Sequence, residues 1–450
     1  MRHSAECYRG WPFFLVAEER TLPVRLGVIA DDLTGANDTG VQFARLGART
    51  IVPLVWHNLR SLGRRADVLV LSTDSRAVSR GVAAQRAKVA AQALRRGRVP
   101  AIYKKIDSTF RGNVGAELDA ILEVYSAPLI IVAPSFPPAG RAVVDGTLTV
   151  GGIPVHRTAI GRDPVAPVRQ SHLPTLLRTQ SRRDVRHLSL EMLRAPFFRL
   201  RRIIQAWRED DGGLVVADAV TAGDLARLAR LILREDLQRM VVGSAGLAAA
   251  LGSALSRKSR RRRRPAAARH PILVVVGSPN PTSLAQVAWA ERHDLPAVHA
   301  EIREILAGRE RFRSELEQAV GKVRTELTAG RDVLLTLSQR PLPPSEKKRT
   351  LRPSASGTLS EFLALATRRL ARAERLGALI LCGGDIAVAT CRALGADGIT
   401  LGGEVAAGVP WGHLVGGEYP NLPVITKAGG FGSPEVFRTA IRYLRRGRRG

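Results

Sequence analysis

The sequence predicts an α/β fold with two domains, each built on a mainly parallel sheet. Its 450 residues are enough for two or three domains of about 150 residues. Hydrophobic residues make up 45% of the chain but aromatic residues only 5%, so the core must consist mainly of Ala, Val, Leu and Ile. Short apolar runs alternate with longer stretches of helical spacing, which is typical of helices that cover a parallel sheet.

The first domain is predicted over residues 24–256. Its apolar runs predict strands at 26–30, 50–55, 68–72, 102–106, 129–133 and 214–216, separated by helices such as 81–96 and 115–125. Residues 1–23 contain an apolar stretch, but it is short and is followed at once by Glu18-Glu19-Arg20, so the segment does not fit the pattern of a signal peptide. We therefore expect this segment to be an N-terminal extension outside the fold.

A basic segment, residues 257–270, is predicted to link the first domain to a second one over residues 271–450. Five successive arginines at 260–264 are followed by proline and alanine, and such a run of like charge is usually a solvated linker. Strands of the second domain are predicted at 272–276, 333–337, 378–382 and 424–427. Residues 340–356 are rich in Pro, Ser, Lys and Arg and are predicted to form a surface loop.

The net charge is +29, from 69 Lys and Arg against 40 Asp and Glu. Nucleic acid or an anionic membrane would suit this balance, but the arginines are spread along the chain without interleaved aromatic residues. No apolar run reaches the ~20 residues that span a bilayer. Cys7, Cys382 and Cys391 are too few and too scattered for a disulfide framework or a zinc site, so we expect a cytoplasmic protein.

Three carboxylates, Asp31, Asp32 and Asp38, lie at the end of the first predicted strand, and Thr34 is the predicted N-cap of the helix that follows. In a parallel sheet, ligands bind outside the carboxyl ends of the strands. Adjacent acids repel each other unless a metal, a nearby cation or a shared proton compensates. A structural turn would explain one such acid, whereas three together favour a functional site.

A second polar cluster, residues 104–113, lies at the end of the predicted strand 102–106. It combines lysines, an arginine, an acid and two hydroxyl residues. Arginine binds a carboxylate through two parallel hydrogen bonds, and Ser and Thr hydroxyls match those of a sugar. This combination at a strand end predicts a pocket for a polyol acid.

Turns rich in glycine and other small residues follow three predicted strands of the second domain, at 277–282, 382–385 and 427–433. Glycine lets the backbone approach a phosphate or a base closely, although ordinary tight turns also use it. The sequence contains neither a P-loop nor the glycine fingerprint of a dinucleotide fold. A nucleotide site of another type is therefore the favoured interpretation.

From about residue 24 to residue 437, the order and spacing of these motifs resemble the four-carbon acid sugar kinase family, which contains 3-oxo-tetronate, threonate and erythronate kinases. The segments that carry the resemblance are 31–36, 105–112, 133–137, 163–167, 277–278, 383–385, 408–410 and 427–432. The resemblance implies a kinase that uses ATP and Mg²⁺, with an N-terminal substrate domain and a C-terminal nucleotide domain that face each other across a cleft.

Site residues follow from the resemblance position by position. Those implied in catalysis are Asp31, Asp32, Lys105 and Arg111; those implied in substrate binding are Thr34, Gly35, Asp107, Ser108 and Thr109; those implied in ATP binding are Ser278, Gly383, Gly384, Asp385, Gly429 and Gly430. No metal ligand is assigned. Arg111 and Lys105 would neutralise the substrate carboxylate, while one of the two adjacent acids would accept the hydroxyl proton.

This chain departs from the family at three positions. Asn280, Ile386 and Ala428 each replace a residue that usually carries a hydroxyl group near phosphate. Backbone N–H groups can substitute for these hydroxyls, so we expect ATP binding to survive with altered affinity.

The expected function is phosphorylation of a primary hydroxyl of a four-carbon acid sugar, giving the 4-phosphate and ADP. The expected partner is this small-molecule substrate, and the sequence is compatible with a homodimer. Alternatives are a lyase or isomerase that acts on the same acids without ATP, a catalytically weakened protein that binds an acid sugar, and a nucleic-acid-binding protein that uses the arginines at 260–264.

Overall fold

The computed structural model describes residues 24–56, 59–163, 165–255, 265–338 and 353–447. The predicted N-terminal extension, positions 257–264 of the predicted linker and positions 340–352 of the predicted loop lie outside the described residues. The prediction of a loop over 340–356 is wrong at its end, because a helix begins at Pro353. The α/β class is confirmed, and the chain forms two compact units.

The first unit comprises the described residues up to 255 except Leu54–Trp56, which group with the second. Its main sheet has the order β2-β3-β1-β4-β11-β5-β10-β9, with every neighbouring pair parallel. A small antiparallel sheet, β6-β7-β8, forms a separate layer. The strands are β1 Leu26–Ala30, β2 Thr50–Pro53, β3 Val68–Ser72, β4 Ala101–Lys105, β5 Leu129–Ala133, β6 Arg141–Val144, β7 Thr147–Val150, β8 Ile153–Pro154, β9 Val185–Leu188, β10 Gly213–Ala217 and β11 Met240–Gly243.

The helices of this unit connect the parallel strands. They are α1 Leu33–Ala44, α2 Leu59–Gly63, α3 Arg80–Arg96, α4 Val114–Leu122, α5 Leu173–Gln180, α6 Leu190–Arg194, α7 Phe197–Glu209, α8 Ala222–Arg234 and α9 Ala245–Leu255, with short 3-10 helices at Pro137–Ala139, Val155–Arg157 and Ala159–Arg162. Every residue of β1, β4, β5 and β10 is buried. Burial on both faces explains why β1, β5 and β10 appear in the sequence as nearly continuous apolar runs, whereas β4 ends in two buried lysines.

In the second unit, five parallel strands in the order β13-β14-β12-β15-β18 continue into the antiparallel strands β17 and β16. The strands are β12 Ile272–Val276, β13 Ala297–Ala300, β14 Val333–Leu337, β15 Ala378–Cys382, β16 Gly398–Ala406, β17 Val409–Val415 and β18 Pro423–Lys427. The helices are α10 Pro281–Glu291, α11 Ile302–Leu306, α12 Arg309–Thr328, α13 Pro353–Ala373, α14 Gly384–Ala393 and α15 Val436–Arg445.

All ten strands predicted from the sequence are present, with ends displaced by no more than two residues. The sequence did not predict the short strands β6–β9, β11 and β13, nor the antiparallel hairpin β16–β17. The residues of the hairpin include several glycines, a proline and a histidine instead of an apolar run. The predicted helix cap at Thr34 is wrong. Helix α1 begins at Leu33, because the carboxylate of Asp32 accepts a hydrogen bond from the Gly35 N–H and so caps the helix.

No helix within the described ranges is both long and apolar enough to cross a membrane.

Candidate functional site

The polar cluster of the first unit lies at the carboxyl ends of β3, β1 and β4, which are neighbours in the sheet. Ala30, the last residue of β1, is in register with Ser72 on one side and Lys105 on the other. The three segments that follow these strands therefore begin at the same edge of the sheet. This topology brings the acids after β1 next to the predicted pocket after β4.

Arg76, in the segment after β3, binds the two adjacent acids. Its Nε and one terminal nitrogen donate to the two carboxylate oxygens of Asp31 at 2.6 and 2.9 Å, and its other terminal nitrogen donates to Asp32 at 2.8 Å. Asp107, in the segment after β4, lies 3.8 Å from the same guanidinium. Arg76 is therefore the cation that compensates the adjacent carboxylates.

The segment that carries Arg76 is held by backbone and hydroxyl contacts. The N–H and hydroxyl of Thr73 both donate to the Ala30 carbonyl, and the Ser75 N–H donates to the Asp31 carbonyl at 2.9 Å. The Asn113 side-chain amide donates to the carbonyls of Ser75 and Val78. The guanidinium is thus positioned by groups from all three segments, which is what a preorganised site requires.

A second guanidinium, that of Arg111, binds two more acids. It donates to both carboxylate oxygens of Asp107, at 3.0 and 3.2 Å, and to Asp163 at 3.2 Å. The N–H and hydroxyl of Thr109 also donate to Asp107. Asp107 is therefore held inside the protein by its neighbours, and Thr109 supports it.

Lys105 reaches the beginning of α1 from the end of β4. Its Nζ lies 2.7 Å from the point where a Cβ on Gly35 would be, and the Asp32 carboxylate lies 2.5 Å from the same point. Only a residue without a side chain leaves room for both groups. The structure therefore brings Lys105, Gly35 and Asp32 together, as the sequence predicted for one site.

The glycine turns of the second unit follow β12, β15 and β18, which are also neighbours in the sheet. A Cβ on Gly429 would lie 2.1 Å from the Ser278 hydroxyl oxygen, and a Cβ on Gly383 would lie 3.7 Å from the Ser278 backbone nitrogen. Gly430 is close to the side-chain amide of Asn280. Three turns thus approach one another around Ser278, so closely that a side chain on Gly429 would collide with the Ser278 hydroxyl.

Comparisons with known proteins agree with this division. A sugar-binding N-terminal domain family matches residues 26–251, and a nucleotide-binding C-terminal domain family matches residues 273–437. The D-threonate kinase of Salmonella typhimurium is 36% identical over 94% of this chain and 98% of its own. The D-erythronate kinase of Heliobacterium modesticaldum is 33% identical (93% and 96%), and the 3-oxo-tetronate kinase of Methylobacterium radiotolerans is 30% identical (93% and 99%). The chain belongs to the four-carbon acid sugar kinase family.

Two solved structures are similar to this member of the acid sugar kinase family over nearly its whole length. A Salmonella typhimurium protein has a TM-score of 0.78 at 23% identity and covers 93% of this chain and 99% of its own. A Haemophilus influenzae protein has a TM-score of 0.71 at 24% identity, with 92% and 98% covered. At these identities the likeness supports the fold alone.

The charges of the acid cluster stabilise one another. Burial alone would raise the pKa of Asp31, but the Arg76 guanidinium holds that pKa below its ordinary value of 3.8. Burial also opposes ionisation of Asp107, whose pKa is nevertheless well below 3.8 because Arg111 and Arg76 are close. The pKa of Arg76 is well above its ordinary value despite burial, since it faces these acids. These groups therefore stay ionised at neutral pH.

Sequence reasoning assigned no site role to two members of this cluster, Arg76 and Asp163, although Asp163 begins one of the segments that carry the family resemblance. Arg76 lies four residues beyond β3, so the rule that sites lie at strand ends could have found it. Asp163 follows a 3-10 helix far along the chain from Arg111, and no local signal predicts their pairing. Two predicted residues, Thr34 and Ser108, lie in the same segments, and their roles in substrate binding stay predictions.

Two of the three departures from the family, Asn280 and Ile386, have local explanations in the second unit. Asn280 caps α10, because its side-chain oxygen accepts a hydrogen bond from the Thr282 N–H at 2.9 Å. Ile386 is buried, and its side chain occupies the space where a Cβ on Gly277 would lie. Ile386 therefore serves packing in this chain. Gly384 and Asp385 form the first turn of α14, beside the Ser278 turn.

The described residues contain no group of three or more His, Cys, Asp or Glu side chains that could hold a metal ion. Mg²⁺ typically keeps several waters and binds through one or two carboxylates together with substrate phosphates, so such a group is not required. The Asp32 side chain is 25% exposed, which is more than the side chain of Asp31 or Asp107. Asp32 is therefore the carboxylate of the cluster that is most open to solvent.

Proposed function

We propose that this protein is an ATP-dependent kinase that phosphorylates a primary hydroxyl of a four-carbon acid sugar, giving the 4-phosphate and ADP. The observation that carries the proposal is the cluster of paired carboxylates and guanidiniums at the ends of β3, β1 and β4, in a chain of the acid sugar kinase family. Ligands of parallel sheets bind at this edge.

The substrate side of the proposal rests on charge. Lys105 and Arg111 supply positive charge to a substrate carboxylate, and the acids accept hydrogen bonds from sugar hydroxyls. Arg111 is already bound to Asp107 and Asp163, so its orientation is fixed before substrate arrives. Side chains fixed in this way lower the entropic cost of binding a small polyol acid.

We assign the proton acceptor to Asp32. Both carboxylate oxygens of Asp31 are bound by Arg76, and its side chain is only 5% exposed. Asp32 makes one bond to the Gly35 N–H and one to Arg76, and its side chain is 25% exposed. A general base needs direct access to the reacting hydroxyl, and Asp32 has the better access of the two.

ATP would bind at the turns around Ser278, Gly383 and Gly429, where small residues let three backbone segments lie close together and a Cβ on Gly429 would meet the Ser278 hydroxyl. ATP supplies the γ-phosphoryl group, and Mg²⁺ bound to its phosphates neutralises developing charge. The protein's own contribution is to orient the acceptor hydroxyl and to take its proton.

The test is ADP release coupled to a spectrophotometric readout, with Mg-ATP and a panel of D- and L-threonate, D- and L-erythronate and their 3-oxo forms. Release that depends on one acid is the expected result and names the substrate. ATP binding without release from any acid of the panel would contradict these acids as acceptors and indicate a different acid. No release together with no ATP binding would contradict the kinase assignment and favour a weakened acid-sugar-binding protein that has lost the hydroxyls at 280, 386 and 428. Acid turnover without ATP would indicate a lyase or isomerase.

A further inference from the structure

Two buried side chains hold the glycine loop after β18 by its carbonyl oxygens. The Lys427 ammonium donates to the carbonyls of Ala428, Gly429 and Phe431 at 2.8, 3.1 and 2.9 Å. The Gln286 side-chain amide, on α10, donates to the carbonyls of Phe431, Gly432 and Ser433 at 3.0, 2.9 and 3.1 Å. Both side chains are 1% exposed.

The direction of the carbonyls fixes the direction of the amides. In a planar trans peptide, the C=O of one residue and the N–H of the next point in opposite directions. Because the carbonyls of Ala428, Gly429, Phe431 and Gly432 point to the buried donors, the next N–H groups point away from them. These amides belong to Gly429, Gly430, Gly432 and Ser433, of which Gly430 and Ser433 are exposed.

The position of Lys427 is unexpected for a lysine in a nucleotide-binding loop, since such a lysine commonly reaches the phosphates as a point charge. Here it lies behind the loop. Burial lowers its pKa, while the nearby Cys382 opposes that shift. A hydrogen bond from a charged group to a carbonyl polarises the peptide unit and strengthens the N–H on its far side as a donor. Lys427 can thus act on a phosphate through the backbone.

We propose that Lys427 and Gln286 are positioning residues that turn and polarise the peptides of the glycine loop after β18, so that its four outward N–H groups, named above, bind the phosphates of the nucleotide. The inference rests on the proposed use of ATP and adds two residues that do not touch it. Ser283, also buried, contributes one more bond by donating to the Gly429 carbonyl at 2.8 Å. Phosphate affinity, and not nucleoside affinity, should therefore depend on these buried donors.

The test compares ATP with adenosine as ligands of the wild-type protein, Gln286→Met and Lys427→Met, by calorimetry. Methionine has nearly the length of either side chain and cannot donate. We expect each variant to bind ATP about 10- to 100-fold more weakly, with adenosine changed by less than about threefold, because one or two phosphate hydrogen bonds are lost. The matched control is Thr367→Val, which removes a buried hydroxyl that donates to the Leu363 carbonyl within α13.

Unchanged ATP affinity in both variants would overturn the inference, as would equal losses for ATP and adenosine. If neither variant folds, amide hydrogen exchange of the wild-type protein decides. Protection of residues 429–433 by ATP and not by adenosine is expected, and its absence refutes the inference. The proposed function is judged separately by turnover: a wild-type protein that binds ATP without phosphorylating any acid would contradict the kinase, while the ATP losses in the variants would still support the positioning role.

Discussion

Replacing Arg76 by Met should destabilise the first unit strongly, and more so at neutral than at acidic pH. The guanidinium side chain is 18% exposed and makes contacts of 2.6 Å to Asp31 and 2.8 Å to Asp32. A pair of charges about 4 Å apart at an effective dielectric of about 20 interacts by roughly 4 kcal/mol. Removing one partner of a buried pair typically costs about 3–5 kcal/mol, because the other charge stays buried. We expect a loss of this size at about pH 7.

The pH dependence follows from the shift of Asp31. Its folded-state pKa is lowered, so its ionised form contributes stability above the ordinary value of 3.8, and this contribution is lost as the pH falls through the folded-state value. Without Arg76, burial would dominate and raise the pKa of Asp31. The variant could then bind a proton as the pH falls. The difference in the free energy of unfolding between the wild-type protein and the variant should therefore become smaller as the pH falls from about 7 to about 4.

The assay is hydrogen exchange after equilibration in urea at about pH 7 and about pH 5, with the labelling pulse always at one pH and the peptide that contains β1 as the reporter. The control is Arg49→Met. Arg49 is bonded to Asp67 at 2.8 and 3.2 Å, but its side chain is 49% exposed, so we expect a loss of less than about 1 kcal/mol. An Arg76 variant that lost no more than this control, or lost the same amount at both pH values, would refute the reasoning.

Three further substitutions test the two sites. Asp32→Asn keeps a side chain that can cap α1, so turnover should fall by about two to four orders of magnitude while ATP binding persists. Gly429→Ala places a Cβ 2.1 Å from the Ser278 hydroxyl, and the KM for ATP should rise about 10- to 100-fold with the KM for the acid unchanged. Lys104→Met leaves Glu117, its buried partner at 2.5 Å, without a cation, so the free energy of unfolding should fall by about 3–5 kcal/mol, with partial recovery when Glu117→Gln is added.

The Asp32 and Gly429 variants each have a reference variant, and the added Glu117→Gln serves this purpose for Lys104→Met. Asp74→Asn alters an acid whose side chain is 90% exposed, and turnover should be unaffected. Gly357→Ala adds a methyl group in open space on α13, which should leave the KM for ATP unchanged and stabilise the helix by up to about 1 kcal/mol. Full turnover in Asp32→Asn would remove this residue as the base. An unchanged KM in Gly429→Ala would argue against a nucleotide at that turn, and a wild-type unfolding free energy in Lys104→Met would mean that water solvates Glu117.

The sequence by itself determined most of the parallel strands and the segments that carry chemistry, but it did not predict the parallel strands β9, β11 and β13. An apolar run such as 26–30 and the polar residues after it are local features of the sequence. They can be recognised because the pattern of apolar and polar residues along a short stretch indicates which residues will be buried. The rule that ligands bind at the carboxyl ends of parallel strands then selected the acids after β1 and the glycine turns after β12, β15 and β18. The antiparallel hairpin β16–β17 was not predicted because its glycines, proline and histidine interrupt the apolar pattern.

The tertiary structure alone decided which charges meet. Arg76 faces Asp31 because β3 lies beside β1 in the sheet, and strand order is not the order of the chain. Lys104 and Lys105 are adjacent in sequence, but successive strand residues face opposite sides, so one is paired with Glu117 in the interior while the other reaches α1. The sequence predicts that two adjacent residues of a strand point to opposite faces of the sheet. Which of the two lysines faces the site depends on how the sheet packs against its helices. This packing is determined by contacts between residues that are far apart in the sequence.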